Sequence, residues 1–378
     1  MKKLFVIVLT VVLCALMTVG CATQPTASAP VAAESAAAAD ASSKPAAPAE
    51  SKEATKTFKI GFAQRTQDNP FFVALAAAFT EEAKAKGWEP TILDAKNNLE
   101  SEIANMQAFI TKGVDLILIE CVDQEGSVPA VQQATAAGIP VIEIDAPLSN
   151  KSGKVTEVSC NNRGNGRLVG LYAAKSYDKD KLISSILMSG DKGNLGAQDR
   201  RVGLIAGIIE GRTGKSEKDA FTAAEAFEQE LIDTGKAKSE EANFEVLGQG
   251  WAHWTADEGL TQMEDLLVAN PNINCLLGEN DDMLFGAMEA LKAENKLEQV
   301  QIFSAADGST KTLDIIKEGG AYKAVGQNSP SKVMSLAYKV ATELLVDGKD
   351  PKSYSEFTAT EPYAITAENV DASYADAF

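Results

Sequence analysis

Two kinds of hydrophobic pattern alternate along most of the chain. Short runs such as Leu116–Ile119 are apolar at every position, which is typical of strands buried on both faces of a parallel sheet. Longer segments carry apolar residues at helical spacing, and residues 70–86 form one of them. That segment begins after Asp68-Asn69-Pro70, a helix-capping pattern, and ends at Gly87. The alternation of strands and helices predicts an α/β fold.

The predicted elements fall into two series, which fit two doubly wound parallel-sheet domains. In the first series, strands are predicted at residues 58–63, 91–93, 114–120 and 141–145, and helices at residues 70–86, 99–112 and 127–137. In the second series, strands are predicted at residues 183–188, 244–247, 275–277 and 301–304, and helices near residues 197–210, 256–268 and 282–293. Residues 211–243 are expected to be a solvated helical elaboration, and residues 351–378 a terminal strand and a docked tail.

An export signal is predicted at the N-terminus. Two lysines precede an apolar run of 14 residues from Leu4 to Met17, which is shorter than the about 20 residues that a membrane-spanning helix needs. The small residues before Cys21 resemble the bacterial lipobox. Residues 1–20 are therefore predicted to be a signal peptide and Cys21 a lipidation site. Ordinary cleavage elsewhere, which would release a soluble protein, is the alternative.

Composition limits the classes of partner. Residues 22–55 are almost entirely Ala, Ser, Pro, Thr, Glu and Lys, so residues 21–56 are predicted to be a lipid-anchored, disordered tether. Roughly 320 residues remain, which suggests two domains. The formal charge of -18 disfavours nucleic acid and anionic lipid surfaces. An uncharged or cationic small molecule is the favoured partner.

Few residues are available for metal or nucleophilic chemistry. His253 is the only histidine, so neither a metal site nor a Ser-His triad is expected. Cys121, Cys160 and Cys275 can form at most one disulfide, and small buried thiols are the favoured interpretation. Residues 190–196 read GDKGNLG, whose glycine spacing differs from the dinucleotide-binding fingerprint. A tight turn is therefore expected there, and no cofactor.

Polar and aromatic residues follow the predicted strands. Ligands bind beyond the carboxyl ends of strands in an open parallel sheet, which makes these positions the candidate site. They are Gln64, Arg65, Asn69, Phe71, Phe72, Asp123, Asp145, Trp251, Trp254, Glu279, Asn280 and Asp307. Carboxylates and amides satisfy sugar hydroxyls, and aromatic rings pack on the apolar C–H face of a sugar. The pattern therefore predicts a carbohydrate site.

Seven motifs occur in an order that resembles the type 1 periplasmic sugar-binding proteins, in particular the ribose and galactose group. They are GFAQRTQDNPFF at 61–72, VIEIDAP at 141–147, GAQDRRVG at 196–203, WAHW at 251–254, GENDDMLFGAM at 278–288, AADGS at 305–309 and GQNSP at 326–330. The resemblance covers about residues 57–350. It implies two lobes joined by a three-segment hinge, with residues 57–160 and 328–350 in the first lobe and residues 161–327 and 351–378 in the second.

The resemblance also implies that a sugar lies between aromatic and polar side chains. Phe71 and Phe72 would line one face of the sugar, and Trp254 would stack on the opposite face. The polar residues implied to hydrogen-bond its hydroxyls are Asn69, Asp145, Arg200, Asn280, Asp307 and Gln327. Asn69 is also a natural helix cap, and the two phenylalanines are natural core residues, so purely structural roles stay open for them.

One motif departs from the ribose-type pattern. Ala146-Pro147 follows Asp145 where that pattern has an Arg, so a hexose, another pentose or a polyol fits as well as ribose. Arg65 stands where the pattern has a small hydroxyl residue. With strands ordered 2-1-3-4, an extended Arg65 would bridge most of the about 10 Å to hydroxyls also held by Asp145. A solvated Arg65 on the rim of the cleft is the alternative.

The predicted function is ligand binding without catalysis. The resemblance implies an extracytoplasmic monomer that captures a monosaccharide or polyol and hands it to the permease subunits of an ABC transporter. A sugar sensor that presents ligand to a membrane receptor or kinase is one alternative. A glycosidase with Asp145 and Asp307 as its carboxylate pair is another. The surrounding amides, arginine and aromatic rings suit ground-state binding, which by itself accelerates no reaction.

Overall fold

The computed structural model describes residues 56–149 and 151–378. The predicted signal peptide, Cys21 and the predicted tether up to residue 55 lie outside the described residues. Within the described ranges, no helix is both long enough and apolar enough to cross a membrane.

The strands form two sheets. The first sheet contains β1 (Lys59–Gln64), β2 (Glu89–Asp94), β3 (Leu116–Ile119), β4 (Val141–Ile144), β5 (Glu157–Ser159) and β12 (Phe357–Ala359). The second sheet contains β6 (Ile183–Ser189), β7 (Ala237–Ser239), β8 (Phe244–Trp251), β9 (Cys275–Gly278), β10 (Gln301–Asp307), β11 (Tyr322–Gln327) and β13 (Ala364–Thr366). The strand orders are β12-β5-β4-β3-β1-β2 and β13-β11-β10-β9-β6-β8-β7, and the edge strands β7 and β13 pair antiparallel.

Helices cover both faces of each sheet. The first sheet is flanked by α1 (Pro70–Lys86), α2 (Leu99–Lys112), α3 (Val128–Ala136) and α10 (Pro330–Leu345). The second sheet is flanked by α4 (Asn162–Lys175), α5 (Leu195–Thr213), α6 (Glu217–Thr234), α7 (Ala256–Ala269), α8 (Asp281–Ala293), α9 (Thr310–Lys317) and α11 (Val370–Ser373). Buried apolar clusters lie between each sheet and its helices. Each sheet with its helices is called a lobe below, and the predicted α/β fold with two doubly wound lobes is confirmed.

Asparagine side chains cap the helices that begin near the carboxyl ends of β1, β6 and β9. Asn69, Asn194 and Asn280 each accept a hydrogen bond from the backbone N–H three residues on, at 3.2, 2.8 and 3.1 Å. A cap of this kind stabilises a helix by about 1 kcal/mol. The three caps fix the first turns of α1, α5 and α8 on the side of the sheets where ligands bind.

Helices α4 and α5 approach each other so closely that glycine is required at their contact. A Cβ on Gly207 would lie 2.1 Å from the carbonyl oxygen of Arg167, and a Cβ on Gly170 would lie 2.2 Å from the carbonyl oxygen of Leu204. Alanine at either position would therefore force the helices apart. The contact sets the position of α5, which carries Arg200.

The last segment of the chain contributes to both lobes. The sequence prediction places residues 351–378 wholly in the second lobe, but β12 pairs in parallel with β5 of the first sheet before β13 pairs with β11. Without β12, β5 would be an open edge with unpaired backbone groups. The chain crosses between the lobes after β5, after β11 and between β12 and β13, so the hinge has three segments.

Residues 211–243 are more than the solvated elaboration expected from the sequence. Helix α6 buries Ala224, Phe227 and Leu231, and β7 extends the second sheet by pairing with β8. Phe227 stacks on Phe244 of β8 with ring centroids 5.1 Å apart. The apolar residues of α6 recur every three or four positions and form one buried face. Because charged residues lie between them in the sequence, this periodicity was not recognised.

Candidate functional site

A cavity lies between the two lobes, at the carboxyl ends of strands from both sheets. The space free of atoms in it, counted together with adjoining open solvent, is about 510 Å³. Nine of the ten predicted ligand-binding residues line it: Arg65, Asn69, Phe71, Phe72, Asp145, Arg200, Trp254, Asn280 and Asp307. The other lining residues are Glu120, Ala146, Asn194, Gly196, Ala197 and Asn328. Both strand series therefore bring their end residues together around one space.

The first turn of α1 forms one wall of the cavity. Asn69 lines the cavity and also accepts the capping hydrogen bond from the N–H of Phe72. The rings of Phe71 and Phe72 meet edge to face with centroids 5.7 Å apart, and Phe71 meets Phe378 of the C-terminal tail at the same distance. These phenylalanines therefore offer apolar surface to a ligand while they remain part of the first lobe's core.

Asp145 follows β4 and is held by the hinge. Nδ2 of Asn328 donates to Oδ1 of Asp145 at 3.0 Å. Gln327, which the resemblance implied to bind the ligand, is absent from the cavity wall, and its side-chain oxygen accepts a hydrogen bond from Nζ of Lys332 at 2.6 Å. Successive residues of an extended chain point to opposite sides, so a difference of one residue moves the lining amide from Gln327 to Asn328.

Arg200 reaches the cavity from α5 and is buried. Its Nε donates to Oδ1 of Asn162 at 2.7 Å, and its Nη1 donates to the carbonyl oxygen of Glu279 at 3.1 Å. Oδ1 of Asp307 lies 3.9 Å from Nη1, and the ring centroid of Trp254 lies 5.5 Å from the guanidinium carbon. These contacts hold the guanidinium in one orientation at the cavity wall.

The turn between β6 and α5 holds Trp254 in place. Nε1 of Trp254 donates to Oδ2 of Asp191 at 2.8 Å, and the carbonyl oxygen of Trp254 accepts a hydrogen bond from Nδ2 of Asn280 at 3.3 Å. Gly190 leaves room for the indole, because a Cβ there would lie 2.2 Å from the ring. The glycine-rich motif at 190–196 therefore positions an aromatic ring of the site.

Two buried carboxyl groups lie where β10 meets α8. The N–H of Asp281 donates to Oδ2 of Asp307 at 3.3 Å. The Asp281 carboxylate accepts hydrogen bonds from the N–H of Ser309 at 2.9 Å and from the hydroxyl of Tyr322 at 2.6 Å, so it has a structural role. Burial and the nearby charge of Asp281 raise the pKa of Asp307 well above its ordinary value, and Arg200 opposes that shift. Asp307 thus adds a hydrogen-bonding group with a raised pKa to the wall.

Arg65 lies directly after β1 and spans the gap between the lobes. Its Nε donates to Oδ1 of Asn97 at 3.2 Å, and its Nη2 lies 3.8 Å from Oδ2 of Asp191 in the second lobe. The side chain is 16% exposed, which is low for a solvated arginine on a rim. Arg65 is therefore both a lining residue and one partner of an ion pair across the lobes.

Three polar lining residues were not predicted from the sequence: Glu120, Asn194 and Asn328. The predicted third strand runs through Glu120, but β3 ends at Ile119. With the correct strand end, the rule that ligands bind after strands would have selected Glu120. Asn194 was not selected because it lies in the glycine-rich segment at 190–196, for which only a tight turn was predicted.

The three thiols of the described part are free and buried, as predicted: Cys121, Cys160 and Cys275. Burial raises the pKa of Cys160 and of Cys275 to about 12, so both are uncharged at neutral pH. In residues 56–149 and 151–378, no group of three or more His, Cys, Asp and Glu side chains is arranged to hold a metal ion. The lining described above offers hydrogen bonds, charges and aromatic faces.

Comparisons with known proteins agree on one family. Residues 60–350 match the model of the periplasmic binding protein domain. The ribose import binding protein of Bacillus subtilis (strain 168) is 29% identical over 301 residues, which cover 79% of this chain and 86% of that protein. A solute-binding protein of an ABC transporter from Mycobacterium smegmatis, solved with bound glycerol, is 30% identical with a TM-score of 0.69, covering 84% of this chain and 96% of that one. A periplasmic solute-binding protein of an ABC transporter from Actinobacillus succinogenes 130Z, solved with bound D-allose, shares the fold at 22% identity and a TM-score of 0.69, covering 84% of this chain and all of that one.

Proposed function

This chain belongs to the periplasmic binding protein family, and we propose that it is the extracytoplasmic substrate-binding component of an ABC transporter for a monosaccharide or related polyol. As a binding protein, it is proposed to capture its substrate without transforming it. The ligand is captured between the two lobes and is then passed to the permease subunits of the transporter.

The cavity between the lobes carries this proposal. Sugar hydroxyls need both donors and acceptors, and the apolar faces of a sugar pack on aromatic rings. The hydrogen-bonding residues in the proposed role are Asn69, Asp145, Arg200, Asn280 and Asp307. The aromatic residues in the proposed role are Phe71, Phe72 and Trp254. Because most of these side chains are fixed by other protein contacts, little ordering is needed when a ligand binds.

The relatives support a small polyhydroxylated ligand. One is named for ribose import, and another was solved with glycerol. Ala146 follows Asp145 in the cavity wall and leaves more room than a long side chain would. A hexose or a cyclic polyol therefore fits the proposal as well as ribose.

A panel of sugars and polyols, added to the full chain in detergent, tests the proposal by thermal shift. A ligand that binds only the folded protein must raise the midpoint of unfolding, by about 2.7 kcal/mol of stability at a hundred times its dissociation constant. Asp145→Ala, which removes a proposed hydroxyl acceptor, is the control and should shift less. If no member of the panel shifts the folded wild-type protein, the sugar-binding proposal is wrong.

We propose further that the protein is a monomer held at the outer side of the membrane by a lipid on Cys21. The support is the lipobox-like sequence, and Cys21 lies outside the described residues. Cys21→Ser removes the sulfur that accepts the lipid, so the variant should move from the detergent phase to the aqueous phase after signal removal. A processed variant that still partitions into detergent would contradict lipid attachment.

A further inference from the structure

Glu120 is a buried carboxyl group that the protein leaves unpartnered in the wall of the cavity. It directly follows β3 and is fully buried. Its backbone N–H donates to the carbonyl oxygen of Ala63 at 2.9 Å, which fixes the residue beside the end of β1. Neither carboxyl oxygen makes a hydrogen bond of normal geometry within the described residues, although the backbone N–H of Arg65 is close enough to lower the pKa of the group somewhat. Because an unsatisfied buried carboxyl group is costly, Glu120 is suited to a group that the ligand supplies.

The charged groups around Glu120 are already engaged elsewhere. Asp145, after the neighbouring β4, accepts a hydrogen bond from the hinge at 3.0 Å. Arg65, after β1 on the other side, is hydrogen-bonded at 3.2 Å and ion-paired with the second lobe at 3.8 Å. Glu102 of α2 accepts a hydrogen bond from a backbone N–H at 2.6 Å. Two of these three groups are acidic, and the guanidinium of the one cation, Arg65, contacts Asn97 and Asp191 instead of bonding to Glu120.

We propose that Glu120 hydrogen-bonds a hydroxyl group of the ligand and is a specificity-determining residue of the sugar site. The inference rests on the proposed function and deepens it, because it assigns the end of β3 to recognition of one hydroxyl. A sugar that carries this hydroxyl satisfies the buried carboxyl group. A deoxy sugar leaves it unpartnered, and sites built to bond a hydroxyl reject such analogues strongly.

Glu120 binds the hydroxyl as the uncharged acid. Burial raises the pKa of Glu120 well above its ordinary value, the charge of Asp145 raises it further, and Arg65 opposes the shift. The acid form has one O–H donor and one carbonyl acceptor, which together match a hydroxyl group. A ligand over Glu120 excludes water and favours the uncharged form still more. Affinity should therefore be constant at low pH and fall as pH rises through the pKa of the empty site.

Calorimetric titration of the full chain with D-ribose, D-allose and myo-inositol, and with the hits of the sugar panel, tests the assignment. Glu120→Gln keeps a donor and an acceptor of similar shape, whereas Glu120→Ala removes both. Glu125→Gln changes an exposed glutamate nearby and is the matched control. For the sugar that binds best, we expect Glu120→Ala to weaken binding at least about tenfold and Glu120→Gln less than about threefold. Glu125→Gln should bind as the wild type does.

The dependence of affinity on pH and on one hydroxyl separates a ligand contact from a structural role. Wild-type affinity should fall as pH rises, and the affinity of Glu120→Gln should fall less, because only the contribution of Asp307, which also has a raised pKa, remains. Each deoxy analogue of the sugar is also titrated into wild type and Glu120→Ala. The analogue that lacks the recognised hydroxyl should bind both proteins with similar affinity, because the same interaction is already lost.

Three results would overturn the assignment. A sugar that binds wild type and folded Glu120→Ala equally well would show that Glu120 makes no ligand contact. If Glu120→Ala does not fold, a Glu120→Gln protein with the wild-type pH dependence would likewise exclude the contact. A cationic amino sugar that binds more tightly as pH rises would make Glu120 an ionised counter-ion rather than a hydroxyl-binding acid. Failure of every sugar to bind folded wild type would instead overturn the proposed function, and the role of Glu120 with it.

Discussion

Three residues beside the cavity hold a left-handed backbone conformation that bulky residues avoid. Asp145 has φ 60, His253 has φ 44 and Trp254 has φ 65. Such conformations cost about 1–3 kcal/mol each and persist where surrounding contacts impose them. Here the side-chain amide of Asn328 in the hinge is hydrogen-bonded to Asp145. The carboxylate of Asp191 is hydrogen-bonded to the side chains of His253 and Trp254, each at 2.8 Å. The strained backbone thus gives a fixed direction to two side chains of the proposed site.

Trp254→Ala should remove a stacking face from the proposed ligand. Loss of an aromatic contact predicts binding weaker by about 1.5 kcal/mol or more, which is tenfold or more in the dissociation constant. Titration with the identified sugar measures this change. Trp251→Ala is the matched control, because Trp251 packs over Arg201 at 5.3 Å and does not line the cavity. Equal losses in both variants would contradict a specific role for Trp254.

Arg65→Ala distinguishes a ligand contact from an ion pair between the lobes. If the guanidinium also bonds a ligand hydroxyl, the loss should be roughly 1.5 to 3 kcal/mol of binding free energy. Lys192→Ala is the control, because it removes an exposed cation next to the same acidic partner, Asp191. A change under about 0.5 kcal/mol in calorimetric titration would leave Arg65 as a partner of Asp191 alone.

Residue-level prediction from the sequence led to the cavity wall where a side chain lies at a strand end. Asp145 follows β4 and Asp307 ends β10, and both line the cavity, while their contact with a ligand stays a prediction. Glu120 was not selected because the end of its strand was misjudged by one position. The ligand role of Gln327 stays a prediction, since the amide that lines the cavity is that of the next residue, Asn328. Successive side chains of an extended chain point to opposite sides. An error of one position therefore selects a residue that points away from the cavity instead of into it.

At the scale of elements, the α4–α5 contact depends on backbone proximity more than on side-chain area. The two helices meet at glycines, where backbone atoms of one helix occupy the space of a missing Cβ on the other. No free volume is available there for an added methyl group, so a larger side chain would strain the backbone and destabilise the folded protein. The position of Arg200 in the cavity therefore depends on residues that do not line the cavity.

Gly207→Ala should destabilise the protein by about 1–3 kcal/mol, because the new Cβ would lie 2.1 Å from a carbonyl oxygen. Denaturant unfolding measures the loss. Gly196→Ala in the same helix is the matched control, since the atom nearest its Cβ is a side-chain oxygen at 3.3 Å. The control should stay within about 1 kcal/mol of wild type, as helix propensity allows. Equal stability of both variants would contradict the close-contact argument.

Elements with strong periodicity were predictable from the sequence, and those defined by tertiary partners were not. Helix α1 begins and ends where its capping asparagine and glycine predict. In contrast, β12 has three residues and little pattern of its own, and it is a strand because β5 offers unpaired backbone groups. Its lobe is decided by that partner, which local sequence does not contain.

At the scale of the whole described unit, contacts other than the covalent hinge join the lobes. Asn165 of α4 ties two hinge segments, because its Nδ2 donates to the carbonyl oxygen of Gln327 and its Oδ1 accepts from the N–H of Tyr363, both at 2.8 Å. Lys332 of α10 pairs with Asp376 of the tail at 2.7 Å. A motion that separates the lobes must therefore break such contacts, among them the ion pair between Arg65 and Asp191.

Sugar should reduce the radius of gyration slightly and change the tryptophan fluorescence, because the proposed ligand favours the closed arrangement. Solution scattering and emission spectra of the full chain, with and without the identified sugar, measure both. Asp145→Ala serves as the control and should respond only at higher sugar concentration. A wild-type protein whose scattering is unchanged at saturating sugar would contradict closure on binding.

The late position of α10 and β12 in the chain has a consequence for synthesis. Both complete the first lobe, and Tyr338 of α10 packs on Phe79 and Trp88 at 5.7 and 5.8 Å, yet they are translated after most of the second lobe. At about 5–20 residues per second, a ribosome needs roughly 15 to 55 s to proceed from β1 to α10. During that time the apolar surface of the first lobe that α10 covers has no partner. The first lobe can therefore be completed only when the chain is nearly finished, after most of the second lobe has been made.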